Sequence, residues 1–205
     1  MTPYYYNTIL KESVAEFKDR GSRFLAYAFP INAVDEFKKR LKELREEHPK
    51  AVHHCFAYRL GTDGNDFRWG DDGEPSGTAG RPILGQLDSK ALTNLAVIVV
   101  RYFGGALLGS RGLINAYKTA SSLVLQTIPV VQKAIEINWL LKFDYTRMNE
   151  VMRIVKKFNC IIHKQDLQLF CEMEIGIPKA NHELCIIRFK DLAGVEMVKT
   201  KLHGS

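Results

Sequence analysis

A two-domain α+β fold is predicted for this chain by three observations. Residues 13–126 alternate short β-like runs with helical patterns. The segment Ile128-Pro129-Val130-Val131 then interrupts the chain. The remainder reads in the order β-α-β-β-α-β, the ferredoxin-like pattern. The expected domains are therefore 1–131 and 132–205, a division that 205 residues can sustain. With 46% hydrophobic and 25% charged residues the composition is globular. No apolar stretch approaches the roughly 20 residues of a membrane span, so no membrane partner is expected. Met1 to Leu10 has tyrosines and no basic n-region, unlike a secretory signal. Cys55, Cys160, Cys171 and Cys185 lack CxxC spacing and are expected to be reduced thiols in the cytoplasm.

The elements follow in order. Ser13–Lys18 and Phe24–Phe29 are β-like runs joined by Asp19-Arg20-Gly21-Ser22, a hairpin signal. Asn32 is placed to cap a helix running to Glu47, with Val34, Phe37, Leu41 and Leu44 on one face. Val52–Leu60 reads as a strand, and a short strand is possible at Phe67-Arg68-Trp69. A short helix is expected from Pro82 to Ser89. Leu95–Phe103 is a continuous apolar run, a central strand buried on both faces. Gly104–Gly112 reads as a glycine-rich loop, with Leu113–Gln126 helical after it. In the second domain Ala134–Tyr145 is a strand, and Thr146 caps a helix to Phe158. Cys160–Lys164 and Leu167–Ile177 form a hairpin turning near Gln165-Asp166. A helix from Ala180 to Leu192 is closed by Gly194, and Val195–Leu202 is the last strand. The tail His203-Gly204-Ser205 is expected to be disordered.

The chemistry concentrates in the run Asp71-Asp72-Gly73-Glu74-Pro75-Ser76-Gly77-Thr78-Ala79-Gly80-Arg81-Pro82-Ile83-Leu84. Its mixture of carboxylates, glycines, hydroxyls and prolines suits no single regular element, so it reads as an ordered loop. Charge is distributed unevenly around it. The net charge is +6, yet no Asp or Glu occurs between Asp88 and Glu136, a span holding Lys90, Arg101, Arg111, Lys118 and Lys133. Such a basic span suits RNA contact and also occurs in ordinary enzymes.

Four blocks resemble the IMPACT/YigZ family, in its bacterial two-domain branch. They are Ser22–Ala26, Ala51–Arg59, Asp71–Leu84 and Asn94–Tyr117, the last containing Arg101-Tyr102-Phe103-Gly104-Gly105. The resemblance implies a β-α-β-α first domain like the second domain of a small-subunit ribosomal protein, also seen as domain IV of elongation factor G. It implies a second domain like domain V of that factor. Eukaryotic members regulate translation under nutrient stress, which implies a connection to translation or RNA. Two positions depart from the family pattern. Arg111 stands where a glycine is common, which suggests a differently shaped loop because arginine adopts positive φ less readily. Asn115 stands where an arginine is common.

Each candidate site is open to a functional and a structural reading. Gly104–Gly112 opens a helix, so it can bind an anion between Arg101 and Arg111, or it can be a tight turn capped by Ser110. Asp71, Asp72 and Glu74 can hold a cation or act as acid and base. Alternatively they accept bonds from loop amides or pair with Arg59, Arg81 or Arg101, the reading favoured by the loop's need for internal bonds. Ser76 and Thr78 would need His53 beside them to act as nucleophiles. His53 and Cys55 share one strand face, with His54 on the other, and are expected to be packed and hydrogen-bonded. Trp69 can stack a base or cover a core edge, and Phe143 and Phe170 present the same choice. The leading expectation is a non-catalytic, translation-associated protein that binds RNA or the ribosome. Its contacts would be Arg23, His53, Arg59, Asp71, Asp72, Glu74, Ser76, Thr78, Arg81, Arg101, Gly104, Gly105 and Arg111. No cofactor, metal or DNA specificity is expected. The alternatives are a hydrolase using the Asp71–Gly80 loop and a protein–protein regulatory module without nucleic-acid binding.

Overall fold

The computed structural model describes residues 3–200. Its contacts divide the chain into two compact units, one spanning Tyr6–Lys133 and the other built from residues 134–200 with residues 3–5. Both mix helices and antiparallel strands. The expected continuation of the last strand to Leu202 and the tail at His203 lie outside the described residues. Among the described residues no helix is long and apolar enough to cross a membrane.

The first unit contains β1 (Tyr5–Thr8), β2 (Ser13–Asp19), β3 (Ser22–Pro30), α1 (Val34–Glu47), β4 (His53–Leu60), β5 (Asp66–Gly70), α2 (Gly80–Ser89), β6 (Leu95–Tyr102) and α3 (Gly109–Gln126). Arg20 and Gly21 take φ of 44° and 81°, the twist-matching geometry of a two-residue hairpin turn. The sheet order is β2-β3-β6-β4-β5, and β6 pairs antiparallel with both neighbours. Its apolar run is thus the buried centre of the sheet. Val97 and Val99 point toward α2 and α3, packing with Ile83, Leu87, Ala116 and Ala120. Ile98 and Val100 point the other way, toward Phe37 and Leu44 of α1. At roughly 25 cal/mol per Å² of apolar area removed from water, this two-sided burial is the main stabilising term.

Three local expectations for this unit are corrected. Asn32 does not cap α1 with its side chain; its backbone N–H instead donates to Glu36 Oε2 at 2.9 Å. Helix α2 begins at Gly80 rather than Pro82, because the Asp71 carboxylate supplies its first acceptors. Helix α3 begins at Gly109 rather than Leu113. Arg111 is therefore helical, and the positive φ angles fall on Gly105 and Gly109 instead.

After β7 (Val131–Ala134), at the division between the units, the second unit opens with β8 (Glu136–Asp144). Then follow α4 (Met148–Lys157), β9 (Ile161–Leu167), β10 (Phe170–Pro178), α5 (His182–Lys190) and β11 (Val195–Lys199). The β-α-β-β-α-β order is present, and the sheet runs β11-β8-β10-β9. Helices α4 and α5 pack Val151, Val155, Cys185 and Phe189 against Leu141, Phe143, Met173 and Ile175. The α4 approach is capped by Asp144, whose carboxylate accepts from Thr146 N at 2.9 Å, and not by Thr146 itself. The hairpin turns at Gln168 and Leu169, beyond the expected Gln165-Asp166; the Leu169 carbonyl is held there by Tyr145 N at 3.0 Å.

Two histidines give the stability a defined pH dependence. The Trp139 indole N–H donates to His182 Nε2 at 3.1 Å, which requires that nitrogen to be unprotonated. Burial pushes the His182 pKa below the ordinary value, and Lys199 adds to the effect. Burial also lowers His54, against the opposing pull of Asp72. The unfolded chain then binds protons more readily than the folded one. Stability is full above the unfolded histidine pKa of about 6.5 and falls as the pH drops through it toward the folded values. Urea denaturation on either side of that pH is expected to show this fall, with a shallower one in His182→Gln. An unchanged midpoint would contradict the assignment.

Candidate functional site

The loop between β5 and α2 is built from its own polar groups. Asp71 Oδ1 accepts from Ala79 N at 3.1 Å and Gly80 N at 2.8 Å, while Oδ2 accepts from Gly77 N at 2.8 Å. A carboxylate thus occupies the N-terminus of α2, where the helix dipole favours negative charge. Asp72, at a positive φ of 43°, turns its carboxylate the other way. It accepts from His54 N at 2.7 Å and pairs with Arg45 at 2.9 Å. Thr78 Oγ1 donates to Pro75 O at 2.6 Å. Gly73, Pro75 and Ser76 are left facing solvent.

Beneath the loop lies a buried ion pair. Arg101, at the end of β6, has Phe24 and His53 as its cross-strand neighbours. Its Nη1 donates to Glu74 Oε1 at 2.5 Å, and both side chains are at least nine-tenths buried. The same oxygen accepts from Tyr117 Oη of α3 at 2.8 Å and lies 3.8 Å from His53 Nε2. The Arg101 guanidinium is flanked by the rings of Phe24 and Phe103, at 5.5 and 5.7 Å. His53 Nδ1 lies 2.8 Å from the Asp72 carbonyl, which can only accept, so Nδ1 carries the proton. Cys55 Sγ donates to Asp71 O at 3.0 Å and contacts Tyr117 Oη at 3.3 Å. Burial pushes both the Cys55 thiol and the Tyr117 hydroxyl far up, so neither ionises readily. The cluster therefore locks the loop onto the sheet. Among the described residues no three His, Cys, Asp or Glu side chains converge as a metal-binding set.

The solvent-facing chemistry lies beside this cluster. Residues 103–107 form an exposed loop, in which Leu107 is 86% exposed. Helix α3 has no side-chain cap and no acidic residue in its first turn. Arg111, Asn115 and Lys118 are exposed at positions i, i+4 and i+7, on one face of the helix.

The Impact N-terminal domain model matches residues 20–125. The chain belongs to the IMPACT family. It is similar to an IMPACT family member of Haemophilus influenzae, 33% identical over 172 residues that span 83% of this chain and 84% of the relative. It is also similar to the family member YigZ of Escherichia coli, 32% identical over 163 residues, or 78% and 80% of the two chains. A crystal structure of a protein described as hypothetical superposes with a TM-score of 0.74 at 26% identity, covering 98% of this chain and 100% of that one.

In this IMPACT-family protein the anticipated residues divide into groups. His53, Asp71, Asp72, Glu74, Thr78 and Arg101 come together in the locked loop and the pair beneath it. Gly104 lies against the β2–β3 turn, where its N–H donates to Ser22 Oγ at 3.2 Å. Gly105 and Arg111 lie on the exposed loop and the first turn of α3. Arg59 stands apart from the loop, paired with Asp88 and donating to Gly64 O. Arg23 pairs with Glu16 at 2.6 Å and stacks on Tyr102. Arg81 lies over the Trp69 ring, so that ring is covered by a cation. Ser76 is exposed. Phe143 is core, whereas Phe170 is 75% exposed. Tyr117 and Phe24 join the ion pair without a signal in the sequence that assigns them to it. Periodicity alone placed Tyr117 on an apolar face, and its hydroxyl partner depends on tertiary packing.

Proposed function

We propose that this protein is a non-catalytic, translation-associated binding protein that contacts RNA or the ribosome through the outer face of α3 and the loop before it. The supporting observation is the contrast between the two helix starts. The N-terminus of α2 is filled by Asp71, whereas that of α3 is uncapped, exposed and carries Arg111 without a carboxylate in its first turn, with Lys118 two turns further along the same face. Membership of the IMPACT family supports a role in translational regulation. A protein partner on the same face fits this role as well.

In this reading the second unit takes a lesser part in RNA contact, which its charge supports. Its sheet face away from the helices carries Asp166, Glu172, Glu174 and Glu196, against Lys142 and Lys164. A polyanion is repelled there. Co-sedimentation with ribosomes and with free structured RNA over a salt series tests the reading. Affinity is expected to fall with salt at a logarithmic slope of about −0.7 to −0.9 per phosphate neutralised. Arg111→Glu with Lys118→Glu is expected to weaken binding and flatten that slope. Wild-type binding by this double variant, or no binding at low salt, would overturn the assignment. Binding to ribosomes without binding to free RNA would place the contact on ribosomal protein.

A further inference from the structure

The second unit holds a pair of sulfurs that the binding surface does not use. Cys160 follows the turn after α4, with Asn159 at φ 53° and its own N–H donating to Val155 O at 2.9 Å. Cys185 lies in α5 and is fully buried. Their Sγ atoms are 3.7 Å apart. The other two cysteines are engaged elsewhere: Cys55 with Asp71 O and Tyr117, and Cys171 with Gln168 O at 3.2 Å.

We propose that Cys160 and Cys185 form an oxidisable dithiol, in which Cys160 reacts with a peroxide and Cys185 resolves it as an intramolecular disulfide. The division of roles follows from position. Cys160 is half-buried and reachable from solvent, while Cys185 sits behind it in the core. The Cys185 thiol is placed to donate to the Cys160 sulfur. That bond holds Cys160 below the ordinary thiol pKa, against burial, and pushes Cys185 up. A sulfur that solvent reaches and whose thiolate is favoured by a neighbouring donor is the more reactive kind.

The steps balance. The Cys160 thiol releases its proton to solvent and the thiolate attacks one peroxide oxygen; an S–O bond forms, the O–O bond breaks, and the departing hydroxide takes up that proton and leaves as water. Cys160 is oxidised to the sulfenic acid and the peroxide is reduced. The Cys185 sulfur then attacks the Cys160 sulfur. The S–S bond forms, the S–O bond breaks, and the departing hydroxyl leaves as water with the Cys185 proton. Closing the pair from 3.7 Å to the bond length of about 2.05 Å moves the sulfurs by side-chain rotation, helped on one side by the irregular backbone before β9. The product ties the turn after α4 to α5.

The test uses the full chain. After treatment with hydrogen peroxide and alkylation under denaturing conditions, two of the four cysteines are expected to escape alkylation. Peptide mapping is expected to recover the Cys160 and Cys185 peptides linked, and dithiothreitol to restore four alkylatable thiols. In Cys185→Ser, the Cys160 sulfenic acid is expected to accumulate and to be trapped by dimedone. In Cys160→Ser, Cys185 is expected to stay unlabelled by dimedone. The proposal is overturned if both thiols remain alkylatable in the oxidised wild type. A link through Cys55 or Cys171, or over-oxidation of Cys160 without a link, overturns it equally.

Discussion

Glu74→Gln is expected to destabilise the first unit by about 3–5 kcal/mol, measured by urea denaturation. The substitution keeps the side-chain shape and removes the charge. Arg101 is then left as a buried cation between Phe24 and Phe103 with a neutral amide in place of its carboxylate. Tyr117 loses its charged acceptor at the same oxygen, and burial leaves its hydroxyl no water to turn to. The double variant Glu74→Leu with Arg101→Met is expected to recover much of the loss, because a buried pair is often replaceable by apolar groups of similar volume. A single-variant cost below about 1 kcal/mol, the range of a surface ion pair, would show that the pair is solvated in solution. The result also bears on function. If Arg101 holds the loop rather than touching ligand, Arg101→Met with Glu74→Leu retains binding wherever the fold is retained.

Gly104→Ala is the second large effect. A Cβ at Gly104 would fall on the backbone of Gly21 and Ser22, well inside van der Waals contact. Neither neighbour is a flexible side-chain end, so the two chain segments must separate. Gly21 holds φ of 81° in the hairpin turn and has little freedom to yield. Overpacking of this kind costs about 1–3 kcal/mol and sometimes more, and here the upper end is expected because backbone opposes backbone. The Gly104 N–H bond to Ser22 Oγ would be lost as well. Gly105→Ala separates two causes. Its Cβ would meet nothing within 4 Å, so its cost arises from φ of 86° alone and is expected to be smaller, about 1 kcal/mol. Equal losses in the two variants would argue against the close approach.

Much of the fold is legible because its signals are local. The β2–β3 turn is announced by Arg20-Gly21, the α1 stripe by Val34, Phe37, Leu41 and Leu44, and the central position of β6 by its unbroken apolar run. The helix starts are less legible because distant groups set them. Helix α2 begins two residues early through Asp71, and α3 takes in Gly112, a residue that propensity assigns to a loop. The same distinction applies to the site. The pairing of Glu74 with Arg101 was one of three open choices, since Arg59 and Arg81 had equal standing as partners in the sequence. Only the register of β6 against β3 and β4 brings Arg101 beneath the loop. The structural role of Asp71 is readable in kind, as a carboxylate serving loop amides, though not in which amides it serves.

The central place of β6 also bears on the order of events during synthesis. Strands β3 and β4 both precede it in the chain and do not pair with each other; each waits for the same partner. Until residue 102 has left the ribosome, β3 and β4 each present an unsatisfied row of amides and carbonyls flanked by apolar side chains, the condition that invites edge-to-edge association. The β2–β3 hairpin and α1 can form locally in that interval, whereas the sheet cannot close. Completion of this unit is therefore a late, long-range event, and a nascent chain stalled before β6 would be a sticky, chaperone-dependent species rather than a smaller folded one.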